Sequence, residues 1–282
     1  MRPPFLLLAA IAALCFLGPP FGAAFGLSAT DIDLAHRLAA PGLPHLLGSD
    51  ELGRDTLMRL MEGGQVSLII GLTAAATAAA LGTAIGLMAG YLGGWTDRLL
   101  MRLTDMVIAL PLLPLLIVLA ALDLAKLGVP ASLAGSDEMS LVRILVLAVL
   151  VGWTTAARLV RGATLVTRRR DFVRAAASLG AGTPHILWTH ILPNVLAPLT
   201  VATTLSVGDV ILLESVLSFL GLGIQPPLSS WGTMLTGAQE LIATAPLLAL
   251  WPGLMIFLTV IACNLLGDAM QRHLDRRATV HA

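Results

Sequence analysis

"DFVRAAASLGAGTPHILWTHILPN", residues 171–194, interrupts a chain otherwise built from long apolar runs. Three arginines, Arg168, Arg169 and Arg170, lead into it, and a run of small residues follows, punctuated by Gly180 and Gly182. "FVRAAASLG" predicts a short helix, because Ala and Leu favour helix and Gly180 stands where a helix stops. "TPHILWTHILP" predicts a restart, with Thr183 as N-cap and Pro184 in the first turn. The stretch therefore reads as helix, glycine elbow and second helix. Its small residues let another backbone approach closely, and Phe172, Leu179 and Trp188 offer apolar anchors. A mere connector is the alternative; the length, the Ala run and the elbow favour docking to a protein at the membrane surface.

The runs on either side set the solvent. Of 282 residues, 57% are hydrophobic and 12% charged, with a mean hydropathy of +0.88. A soluble domain carries about twice that charge, so the expectation is an all-α integral membrane protein. The formal net charge is zero, which gives no footing for nucleic acid as a partner. Cys15 and Cys263 lie in apolar runs without CxxC spacing and read as buried thiols, with no metal site. A spanning helix needs about 20 apolar residues. Six such segments are expected: Phe5–Leu27, Val66–Ala89, a third from Leu99 to residue 122 kinked near Pro111 and Pro114, Met139–Ala157 with Arg143 near its start, Asn194–Leu217, and one within residues 241–267.

Arg and Lys concentrate on the cytoplasmic side of membrane proteins. With Met1 inside, the inner side takes Arg2, Arg98, Arg102, Arg158, Arg161, Arg168, Arg169, Arg170, Arg174, Arg272, Arg276 and Arg277, and the outer side only Arg37, Arg54, Arg59, Lys126 and Arg143. Both termini are then cytoplasmic, and 171–194 is a cytoplasmic loop between spans four and five. The first apolar run also has the look of a cleavable signal peptide, with Arg2 ahead of it and Gly18-Pro19-Pro20 and small residues behind. The expected organisation is an N-terminal span with an acidic outer segment, residues 1–65, and a five-helix core, residues 66–282, whose cytoplasmic loop covers 163–190.

Two carboxylates fall within or near the end of span five, and a charge there is by default functional. Asp209 and Glu214 are five residues apart, so they point about 140° away from each other on a helix. Each is a pathway or gating candidate, with a hydrogen-bonded structural role as the alternative. Asp105, beside Arg102, is expected at the cytoplasmic interface. "FLGLGIQPPLSSWG", residues 219–232, reads as an interfacial segment at the outer mouth, with Trp231 at headgroup level. Enzyme readings find little: there is no HExxH, the histidines are scattered, and no GxxxxGK[ST] loop offers ATP hydrolysis or any catalytic residue in this chain. A transporter driven by an ion gradient through Asp209 and Glu214 is a further alternative, though it leaves 171–194 unexplained.

The same stretch resembles the cytoplasmic coupling loop of binding-protein-dependent ABC importer permeases. Ala175, Ala176, Gly180, Leu192 and Pro193 fit that family's pattern, with Ala181 and Gly182 in the elbow, while Arg174 stands where the family has Glu. "HLLGSDELGRDTLMRLMEGGQVSL" (45–68), "GYLGGWTDRLLMRLTDMVIALP" (90–111), "ESVLSFLGLGIQPPLSSWGTML" (214–235) and "NLLGDAMQRHLD" (264–275) are similar to segments of the dipeptide, oligopeptide and nickel branch. Glu214 matches a Glu of that branch; Asp209 does not. The resemblance implies a six-span, C-type permease subunit in a bacterial inner membrane. It pairs with a second permease, two cytoplasmic ATPase subunits that hold the ATP and Mg, and an extracytoplasmic solute-binding protein. The implied cargo is a di- or oligopeptide, with nickel or another small solute as the alternative, and the loop acts as the lever of alternating access.

Overall fold

The structure, a computed structural model, describes residues 2–122, 126, 128, 130, 136–236 and 238–280. The fold is carried by helices α1 (Arg2–Ala24), α2 (Thr56–Leu92), α3 (Gly94–Ala109), α4 (Leu112–Ala120), α5 (Asp137–Thr167), α6 (Asp171–Ser178), α7 (Thr183–Phe219) and α8 (Leu247–Val280). Among the described residues there is no strand, only one bridge between Ser49 and Asp55. Helices α1, α2, α5, α7 and α8 are each long and apolar enough to cross a membrane, and α3 with α4 forms a sixth, bent candidate.

That third span is broken rather than kinked. Helices α3 and α4 meet at 84°. The residue before a proline is pushed out of the helical region, and Leu110 is extended at ψ 137° ahead of Pro111. Pro114 sits in the first turn of α4, where a missing N–H costs little. At the other end of α4, Arg143 from α5 donates to the Ala120 carbonyl at 2.9 Å. The charge that interrupts span four thus satisfies a helix end that has no bonding partner of its own.

The tightest packing joins α2 to α5. Gly82, Gly86 and Gly90 form a stripe one turn apart along α2. A Cβ at Gly82 would lie 2.5 Å from the Trp153 carbonyl oxygen, and one at Gly86 2.6 Å from that of Ala157. Stripes of small residues let helices in lipid approach to backbone contact, where dispersion is strongest. The same device seats α1 on α2, with Met61 and Met58 filling the notches at Gly18 and Gly22.

Helix α1 carries Pro19 and Pro20 in its interior. Pro19 has no N–H to give to Cys15, the residue one turn before it. The side chain of Gln65 on α2 supplies that bond, donating to the Cys15 carbonyl at 2.8 Å.

Residues 28–55 form a folded cap at the N-terminal end of α2. Asp55 caps that helix through the Met58 N–H and pairs with His45 at 2.9 Å. Asp50 accepts from the N–H groups of Leu52 and Arg54, and from the Arg54 and Arg59 guanidinium groups. Burial works to raise the Asp50 carboxyl, but Arg59, the backbone donors and Arg54 outweigh it and hold it below the ordinary carboxylate range.

Candidate functional site

The stretch 171–194 folds as helix, elbow and helix. After Ser178 the Gly180 N–H bonds the Ala177 carbonyl and the Ala181 N–H bonds that of Ala176. This is the Schellman arrangement, and it needs a left-handed residue at Gly180, whose φ is +85°. The restart differs from expectation at its cap. Gly182, not Thr183, is the N-cap; Thr183 is already helical and its side chain makes no cap bond.

From Thr183 the chain runs without interruption to Phe219, so the returning helix and span five are one rod of 37 residues. Over Ile186–Ile191 the rod widens into a π-helical turn. Leu192 and Pro193 close that turn, and the Asn194 amide donates to the His190 carbonyl at 2.7 Å. Val173, Ile186 and Ile191 are buried beneath the loop. Outward, Leu179 is 89% exposed and Trp188 71%, with Phe172 and Arg174 also exposed. Ala175, Gly180 and Gly182 are exposed as well, and Ala176 and Ala181 half-buried.

Arginines fasten the base of this loop. Arg168 donates to the Gly90 and Tyr91 carbonyls at the end of α2, at 2.7 and 3.2 Å. Arg161 makes a two-pronged bond to Asp97 on α3, and Arg158 pairs with Asp105 at 2.6 Å. The partner of Asp105 is therefore on α5.

The two carboxylates of α7 have opposite surroundings. Glu214 is fully buried. It accepts from the hydroxyls of Ser230 at 2.6 Å, Ser218 at 2.7 Å and Ser67 on α2 at 3.3 Å. The Trp231 N–H bonds Ser67, and the Trp231 indole bonds the Leu60 carbonyl at 2.9 Å. These bonds clamp the segment after α7 onto α2 and bury Trp231 completely, with Cys15, Leu60 and Ile211 in one cluster. Trp231 is thus a core residue and not a headgroup anchor, because its indole partner lies inside the bundle. Asp209 is exposed, one face away from Glu214.

Beside the clamp, Asp50, Arg54, Arg59, Gln225 and Pro226 help to line a cavity of about 330 Å³. Among the described residues no group of three or more His, Cys, Asp or Glu could hold a metal ion.

Residues 82–280 match the family described as binding-protein-dependent transport system inner membrane component. The chain belongs to that family. As a permease of this kind it is 38% identical to a Brucella ovis protein with a provisional peptide-permease name, over 89% of this chain and 79% of the relative. It is 43% identical to the glutathione transport system permease GsiD of Salmonella typhimurium, over 83% of this chain and 73% of that one. Its fold matches a solved amino acid ABC transporter described as having histidines, with a TM-score of 0.52 at 16% identity, over 78% of this chain and 94% of the other. The chain is the permease subunit of an ABC importer and a multi-pass membrane protein, in a family whose systems combine permease, ATPase and binding protein.

Sequence reasoning named the permease's loop and both carboxylates of α7, but not the serines. Ser67, Ser218 and Ser230 are 151 and 12 residues apart, and only the packing of α7 on α2 brings them to one carboxylate. The signal for the glycine stripe of α2 is a plain spacing of four, Gly82, Gly86 and Gly90.

Proposed function

We propose that this permease carries short peptides across a bacterial inner membrane. It would do so with a second permease, two ATPase subunits that bind ATP and Mg, and an external solute-binding protein. The peptide and glutathione names of the relatives support this cargo, glutathione being itself a short peptide.

The observation that carries the mechanism is the continuity of the exposed loop with span five. Phe172, Leu179 and Trp188 form an apolar docking surface for an ATPase, with Ala175, Ala176, Gly180, Ala181 and Gly182 forming the close-approach helix and elbow. Arg174 meets the ATPase as a cation. A push on α6 passes through the elbow into α7, and rigid-body motion of such a rod opens one side of the pathway and closes the other. The arginine distribution supports a cytoplasmic loop and cytoplasmic termini. Residues 1–65 act as anchor and outer cap, and residues 66–282 as the moving core with its loop at 163–190.

Affinity capture of the tagged chain from native membranes tests the assembly. A second permease, ATPase subunits and a binding protein in the captured material support it, and the ligand of that binding protein then identifies the cargo. A chain that purifies alone overturns the ATP-driven reading.

A further inference from the structure

Asp209 has no partner among the described residues: no hydrogen bond or ion pair reaches it there. The neighbouring carboxylate on the same helix is met: Glu214 accepts from three serines. Asp209 lies ten residues before Phe219, about 15 Å along the axis and so about half of the ~30 Å hydrocarbon thickness.

The packing of α7 shows which way it faces. Helix α8 covers the side of Gly208 and Leu205 through Val260 and Gly267. Helix α2 covers Val207, Ile211 and Glu214, and α5 packs by Leu147 and Ala148 near Val210 and Leu217. One sector stays open, and it carries Asp209, Leu212 and Val216, all exposed. A carboxylate turned to acyl chains in mid-bilayer is strongly disfavoured, so this sector faces water or another protein.

We infer that Asp209 lies on the solute pathway and takes the α-ammonium of a passing peptide, an assignment that rests on the peptide reading above. The rest of the sector is medium-sized and apolar, with the Ser206 hydroxyl turned back to the Ala202 carbonyl at 2.9 Å. Such a wall distinguishes side chains poorly. Peptides of varied sequence share their terminal charges, and a single fixed carboxylate matches the ammonium end.

The test uses the complete transporter in proteoliposomes, with its binding protein saturated by each cargo so that its own preference drops out. Uptake of tri-alanine is compared with that of N-acetyl-tri-alanine. Wild type should carry the free amine about tenfold faster, the scale of one charge-assisted hydrogen bond. Asp209→Asn should erase that preference by slowing the free amine alone, and Asp209→Glu should keep it. Equal slowing of both peptides, or of neither, overturns the assignment. So does loss of the second permease on purification of Asp209→Asn, which makes the carboxylate a subunit contact. Wild-type uptake of neither peptide overturns the peptide reading itself, and this assignment with it.

Discussion

Gly82→Ala tests the closest helix contact in the bundle. The added methyl would stand 2.5 Å from the Trp153 carbonyl oxygen, 2.6 Å from the Ala156 Cβ and 2.8 Å from the Ala157 nitrogen. Ordinary contact begins near 3.4 Å, so α2 and α5 must part by most of an ångström. None of the three can swing away, since two are backbone atoms and the third is a Cβ fixed to the backbone. Inserting a methyl into a packed core costs about 1–3 kcal/mol, while Gly→Ala in a helix returns about 1 kcal/mol of propensity. Gly162→Ala on α5 isolates the second effect, because a Cβ there meets nothing within 4 Å. The two variants share the propensity gain, so their difference is the clash alone, about 5- to 150-fold in the folding equilibrium. Thermal unfolding in detergent should put Gly82→Ala below wild type and Gly162→Ala at or above it. Equal midpoints for the two variants would refute the α2–α5 contact described above.

Gly180→Val should leave insertion intact but lower the solute carried per ATP hydrolysed. The site is open and the cost is purely that of a β-branched residue at φ +85°, about 1–2 kcal/mol; normal uptake would count against the lever. Glu214→Ala should make the segment 220–236 protease-sensitive, because it leaves buried serine hydroxyls without their acceptor, at about 1–3 kcal/mol for each group left unsatisfied. Glu214→Gln should be mild, since one oxygen accepts from both Ser218 and Ser230; lost uptake with an intact clamp would assign the charge itself to the pathway. Asp50 titrates lower when folded than its unfolded value of about 3.9. Its contribution is therefore complete above that pH and is lost as pH falls through the lower folded value. Protection from hydrogen exchange over residues 28–55, taken relative to the intrinsic rate at each pH, should stay flat from neutral pH to about 4 and fall below it. Asp50→Asn should remove the acid transition; an opening above pH 5 would contradict the assignment.

Much of this was open to reading because lipid makes sequence speak plainly. Long uncharged runs gave the spans, and Gly180 gave the elbow, since a left-handed residue after an Ala helix leaves few other choices. The residues misread are those whose roles depend on distant partners. Trp231 has the composition of an interfacial residue, and only the Leu60 carbonyl, 171 residues away, draws it inside. Thr183 and Gly182 are both acceptable caps by residue type, and it is Gly182 that takes the extended cap conformation while Thr183 is already helical. Pro111 and Pro114 announced a bend but not its 84°, which is fixed by how α4 lies against α5. Glu214 and Asp209 look alike in sequence, and their contrast appears only when α2, α5 and α8 have closed around α7.

The bond from Gln65 to Cys15 has a consequence for biogenesis. A ribosome delivers α1 to the membrane before Gln65, 50 residues later, has been made. Until then the Cys15 carbonyl is an unpaired acceptor in hydrocarbon, worth several kcal/mol. Helix α1 by itself is thus an unfinished membrane segment, and α2 finishes it. The two enter the bilayer most cheaply as a helical pair, with the insertion machinery sheltering the first until the second arrives.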